Sequence, residues 1–174
     1  LDPALLRLPK KRILALDLAT KTGWAIGEQD GTSVGAVEIV ESGVQDFSNR
    51  RGESPGMVFY RFRHWLDQLL CGGPDFGVFS LVVYELPHLR GGAATTRLVG
   101  LQTRVEEVCA CRNVEYAAVH TATLKRFATG KGTASKEDMI AAAAVVLGRD
   151  PVDDNEADAV MILRWAAKEY GGGA

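Results

Sequence analysis

At 174 residues the chain has the length of one ordinary globular domain, and two would be cramped. Hydrophobic residues make up 47% and charged residues 24%, which excludes a disordered or fibrous class, and no run reaches the ~18 to 20 apolar residues of a membrane span. The net charge of -2, from 20 basic and 22 acidic side chains, points to no polyanionic partner when taken over the whole chain. Residues 1–12 carry no apolar signal-peptide core, so a cytoplasmic protein is expected, with flexible ends at 1–11 and 171–174. The three cysteines are expected to be buried reduced thiols, since the C-x-C pair Cys109 and Cys111 has no second half to complete a zinc site.

In chain order, Arg12 to Leu18 (RILALDL) is a short apolar run with an acid near its end, which suits a central strand buried on both faces. Gly23 to Gly27 and Val34 to Val40 follow at hairpin spacing around Asp30 and Gly31 and complete a three-stranded meander. Ser42 to Pro55 reads as a loop. Met57 to Leu70 places Val58, Phe62, Trp65, Leu66 and Leu69 on one helical face and stops at Gly72-Gly73-Pro74. Phe79 to Tyr84 is a fourth strand that runs directly into Glu85. After Gly91-Gly92, Ala93 to Arg112 carries Leu98, Leu101, Val105, Val108 and Cys109 at helical spacing. Val114 to Val119 is the fifth strand and Thr121 to Ala128 a short helix, followed by a flexible turn at Gly130 to Thr133. Ser135 and Asp138 form a capping pair for a helix continuing through Ala141 to Leu147, and Asn155 to Tyr170 closes the chain. Trp65, Trp165 and Tyr170 sit at helical spacing and are expected in the core. The order β-β-β-α-β-α-β-α-α-α gives one α/β domain with a mixed five-stranded sheet: three antiparallel strands, then two parallel ones, flanked by helices.

Two strands end in acids, Asp17 and Glu85, and in an open α/β sheet such ends converge if the strands are neighbours. Asp154 and Asp158 at i,i+4, and Asn155 and Asp158 at i,i+3, share faces at the start of the last helix. Carboxylates held ~5 Å apart repel by roughly 3 kcal/mol per pair at an effective dielectric of about 20, which a divalent cation removes. Oxygen donors without His or Cys suit Mg²⁺ or Mn²⁺. Each acid also has a plainer use, since Asp17 can cap a turn and Asp154, Glu156 and Asp158 suit a helix N-terminus. Residues 121–136 hold Lys125, Arg126, Lys131 and Lys136 with no acid, and residues 86–104 hold Arg90, Arg97 and Arg104 with none. Residues 150–158 hold five acids and no base. Basic segments around one negative site suit a metal-using enzyme that acts on a phosphate polymer. Gly130 and Gly132 do not make a P-loop, whose glycine spacing is wider. His88 and His120 are expected at the surface or in packing.

Taken together, ILALDLATKTGWAI (13–26), VVYE (82–85), LKRFATGKGTASK (124–136) and DNEADA (154–159) resemble the RuvC family of Holliday junction resolvases, particularly its shorter phage and prophage-type members. The likeness covers residues 12–170. It implies an RNase H-like fold, a homodimer, and metal-dependent paired nicking of four-way DNA junctions in a bacterial or phage-infected cell. Two Mg²⁺ (or Mn²⁺) ions per site are implied, held by Asp17, Glu85 and Asp158 with Asn155 or Asp154. Lys125 and Lys136 would act near the scissile phosphate, and Lys21, Arg90, Arg97, Arg126 and Lys131 would also face DNA. The family pattern D-A-A-D reads N-E-A-D here, so Asn155 stands where an acid is usual, and the turn after Asp17 is one residue shorter. The helix from Ala93 to Arg112 is the expected dimer interface, on the strength of its apolar face. Two other readings remain open: a binder of branched DNA that does not cut, and an RNA–DNA hybrid ribonuclease or strand-transfer enzyme. An actin-like ATPase would need glycine-rich turns after the first strand, where only Gly23 is near.

Overall fold

Strand β1 (Lys11–Asp17) alternates its side chains between two cores, so that an almost wholly apolar stretch is buried on both sides. Ile13 and Ala15 pack on one face of the sheet, Leu14 and Leu16 on the other. The computed structural model describes residues 10–30, 35–72, 78–87 and 91–171. Strands β2 (Lys21–Gln29) and β3 (Glu38–Asp46) continue the meander, followed by helix α1 (Met57–Cys71), strand β4 (Phe79–Glu85) and helix α2 (Gly92–Arg112). Strand β5 (Glu115–Val119) and helices α3 (Thr121–Thr129), α4 (Lys136–Leu147) and α5 (Asp154–Tyr170) complete the chain.

The sheet order is β3-β2-β1-β4-β5, antiparallel at β3-β2-β1 and parallel at β1-β4-β5. β1 and β4 are therefore neighbours, and Leu16 pairs with Tyr84, which brings Asp17 and Glu85 to the same sheet edge. Helices α1 and α2 cover one face, and α3, α4 and α5 the other. α5 is buried on most sides, with Ala157, Ala159, Ala166 and Ala167 among its buried residues. Small side chains let it lie close to the sheet. Gly23 and Gly27 on β2 do the same from below: a Cβ on Gly23 would stand 1.8 Å from the Asn155 carbonyl oxygen, and one on Gly27 would meet Leu163.

The structure departs from the sequence reading in four places. β3 spans Glu38–Asp46 instead of Val34 to Val40, so the expected loop at Ser42 begins as strand; as an edge strand it keeps polar residues on its open side, which hid it. Of the cysteines only Cys109 is buried, its thiol pushed up to about 12 by desolvation, whereas Cys71 and Cys111 are exposed near helix ends. Tyr170 is 41% exposed, at the end of α5, where it meets the Trp165 ring edge-on. Finally, Leu101, Val105, Val108 and Cys109, the apolar face that suggested a dimer interface on α2, are buried in the chain's own core beside α1. That part of the stripe is spent on folding, whereas Leu98, its first residue, is only partly buried and Val99 beside it is exposed. Among the described residues no helix is long and apolar enough to cross a membrane.

Candidate active site

Three elements deliver the acids. β1 and β4 end on Asp17 and Glu85, and α5 begins beside them because Gly23 admits its first turn against β2. Asp153 caps α5, its Oδ1 accepting from the backbone N–H of Asn155 (2.9 Å) and Glu156 (3.1 Å). The Asn155 side-chain amide donates to the other oxygen of the same carboxylate, at 3.0 Å.

The electrostatics show that the acids meet. Asp17 lies well above the ordinary carboxylate range, first because burial desolvates it and then because Asp158, Glu85, Asp154 and Asp153 repel its charge. Asp158 is pushed up to about 7 by burial and by Glu85 and Asp154, against the opposing pull of Lys125 and Lys136. The expected triad of Asp17, Glu85 and Asp158 thus forms one mutually repelling group, with Asp154 in range of two members. Lys125 and Lys136 stand at the same place. Two donors are engaged elsewhere: Glu85 accepts from the Thr121 hydroxyl, and Asp154 pairs with Lys136 at 2.7 Å. Among the described residues, no group of three or more His, Cys, Asp or Glu side chains is arranged so that it could hold a metal ion as it stands. The donors themselves are of a kind that suits a hard cation, being oxygen-only.

The remaining predicted positions fall around this group. Arg97, near the exposed start of α2, reaches across to the Thr20 hydroxyl in the β1–β2 turn (3.3 Å). Lys21 opens β2 and is exposed, as are Arg126 near the end of α3 and Lys131 in the glycine turn. The Ser135–Asp138 capping box starts α4 and so sets the position of Lys136. His120 is exposed, as expected. Arg90 and His88 lie outside the described residues.

Glu156 does not belong to the site despite its place in the acidic run. It is fully buried and accepts from Arg149 (2.6 and 3.2 Å), from the Ser42 hydroxyl (2.6 Å) and from the backbone N–H of Val152. Burial alone would raise its pKa, but these donors outweigh it and hold the carboxyl below its usual value. Sequence reasoning also missed Thr121 and Asp153. The signal for Asp153 was present, as the last acid before a helical run; nothing local to Thr121 announced a partner 36 residues away.

No protein-family model matches the chain, and no curated protein matches it in sequence. Among solved structures it is similar to Thermus thermophilus RuvC in complex with a Holliday junction substrate, with a TM-score of 0.76 and 16% identity, covering 92% of this chain and 95% of that one. It is also similar to a second Thermus thermophilus RuvC structure, with a TM-score of 0.72 and 17% identity, covering 94% of this chain and 97% of that one. The fold is accordingly the RNase H-like fold of RuvC, as the resemblance implied.

Proposed function

We propose that this chain is a divalent-metal-dependent endonuclease that resolves four-way DNA junctions, acting as a homodimer so that two sites make paired cuts. The observation that carries the reading is the mutual repulsion of Asp17, Glu85 and Asp158 at the end of the sheet, with Lys125 and Lys136 beside them. A chain selected for stability alone would not gather these charges. The RuvC structure with this fold holds a Holliday junction, which supports branched DNA as the substrate class.

Asp17, Glu85 and Asp158 would hold the metal ions, with Asp154 as a fourth carboxylate and the Asn155 Oδ1 as a neutral donor. Mg²⁺ or Mn²⁺ bound there would activate a water and stabilise the departing 3′ oxygen. Asp17 and Asp158 are each partly buried, which lessens the screening of their charge by bulk water. Thr121 fixes one oxygen of Glu85. Lys125 and Lys136 face the phosphate and offset the charge that builds on it during cleavage. For Lys136 this requires release from Asp154 when a cation takes over that carboxylate. Arg97, Lys21, Arg126 and Lys131 extend the positive rim along which a DNA backbone lies.

Incubating the purified protein with a labelled synthetic four-way junction and Mg²⁺, beside Asp17→Asn and an RNA–DNA hybrid control, tests the reading. Paired nicks in the junction that vanish in the variant are expected. A junction bound and left intact would establish the non-cleaving binder instead, and cleavage confined to the hybrid would establish the ribonuclease.

A further inference from the structure

The fully buried Glu156 lies in the first turn of α5, two residues from Asp154 on one side and Asp158 on the other. At 3.6 residues per turn, a step of two turns the side chain by about 200°, so Glu156 points away from the face that Asp154 and Asp158 share. It faces β3 and the α4–α5 connection, where its two oxygens take four hydrogen bonds from three residues on these two pieces of chain: Arg149, Ser42 and the Val152 backbone. Arg149 also donates to Ser42 (3.2 Å) and to the Asp150 carbonyl (2.9 Å), so the three side chains form a closed network.

Only the Glu156 end of this ion pair is fully buried, while Arg149 is about half exposed. Desolvation of the carboxylate offsets much of the attraction, so the pair is a poor source of stability and an apolar replacement of similar volume is often neutral. Such a network does supply direction. An apolar contact would let the first turn of α5 slide or roll by a fraction of an ångström, whereas four directed bonds on the far side of the helix do not. Metal donors must stand within about 0.2 Å of their places. The D-A-A-D pattern has no acid at position 156, so this anchor is a feature of the present chain.

We infer that Glu156, Arg149 and Ser42 are positioning residues that fix the roll of α5 from behind and thereby hold Asp154 and Asp158 in register with Asp17 and Glu85. The inference rests on the proposed metal site. Loss of the network leaves α5 folded, because Asp153 still caps it and Ala157, Val160 and Leu163 still anchor it in the core, but its carboxylates no longer meet the other two in one geometry.

Two variants test this. Ser42→Ala removes one bond, and the triple variant Ser42→Ala, Arg149→Met, Glu156→Met replaces the network with apolar bulk. Mn²⁺ alone is titrated into each by calorimetry, without DNA, beside Asp158→Asn, and thermal unfolding is recorded in chelator. The triple variant is expected to melt at or above the parent temperature and to bind Mn²⁺ at least roughly tenfold more weakly, the usual effect of losing a residue that orients a ligand. Ser42→Ala should weaken binding in the same direction by less, and hydrogen exchange should quicken at residues 154–158 but not in the second half of α5. Parental Mn²⁺ affinity in both variants overturns the inference and leaves the nuclease reading intact. Should the triple variant not fold, Ser42→Ala decides alone. If the parent binds no Mn²⁺, or Asp158→Asn binds it equally well, the nuclease reading and the inference fall together.

Discussion

Replacing Asp158 with Asn should make the metal-free protein more stable. The carboxyl stands at about 7 in the folded chain against an ordinary 3.8, so between these two pH values the folded state binds the proton that the unfolded state has released. Stability of the parent therefore falls as pH rises through this window and levels off above it. At about 1.4 kcal/mol per pKa unit the full loss comes to about 4 kcal/mol. An amide carries no charge at any pH and escapes it, and Asp17 gains as well, because Asp158 is the strongest of the charges that repel it. In chelator, the Asp158→Asn variant and the parent should have nearly equal stability around pH 4 and diverge by pH 8, where the variant leads by up to about 4 kcal/mol. For a chain of this length each kcal/mol is worth about 2–4 °C of melting temperature. Urea unfolding at a series of pH values measures the gap directly. Excess Mg²⁺ should narrow it by stabilising only the parent. A gap that does not change with pH, or a variant less stable than the parent at pH 8, would refute the idea that these acids store repulsion.

Three further outcomes follow from the same geometry. Gly23→Ala should destabilise the fold and abolish Mn²⁺ binding together, since the new Cβ would overlap the Asn155 carbonyl oxygen at 1.8 Å and push α5 off β2; melting and metal titration of one sample check both. Lys131→Ala should leave Mn²⁺ binding unchanged but lower the slope of log affinity for junction DNA against log salt by about 1, because one phosphate contact is lost. Leu101→Ala, on the buried side of α2, should cost about 2–5 kcal/mol in urea unfolding.

What the sequence displayed and what it concealed separate along physical lines. Strands β1 and β4 were legible because burial on both faces leaves an apolar run, and their terminal acids stood out against it. The start of α4 was legible because a capping box is local, three residues from Ser135 to Asp138. β3 was misplaced because half of an edge strand's side chains face water and read as a loop. The acidic run 150–158 was seen as one feature, yet the fold divides it: Asp153 caps, Glu156 is buried away from the site against Arg149, Asp154 pairs with Lys136, and Asp158 joins the strand acids. Nothing in the spacing separates these roles, because they are set by partners such as Ser42, 114 residues distant from Glu156. The α2 stripe was legible as apolar but silent about what covers it.

The amide at position 155 has a physical reason in this division of labour. Its Nδ2 donates to Asp153 Oδ2 at 3.0 Å, while the other oxygen of that carboxylate caps the helix. An acid at 155 would set two carboxylates against each other at that distance, a repulsion of about 5 kcal/mol at an effective dielectric of about 20 before either side chain moves or takes up a proton. It would also add charge next to Asp17 and Asp158, which already stand above their ordinary range because burial desolvates them and neighbouring carboxylates repel them. Asn155→Asp should therefore destabilise the chelator-treated protein, by at least the ~1 kcal/mol that a disturbed cap costs. The new carboxyl's pKa is raised in the fold, so the loss should grow as pH rises above 4 and fade below it. Equal stability of variant and parent from pH 4 to pH 8 would show that the cap tolerates a second charge, and the amide would then need another explanation.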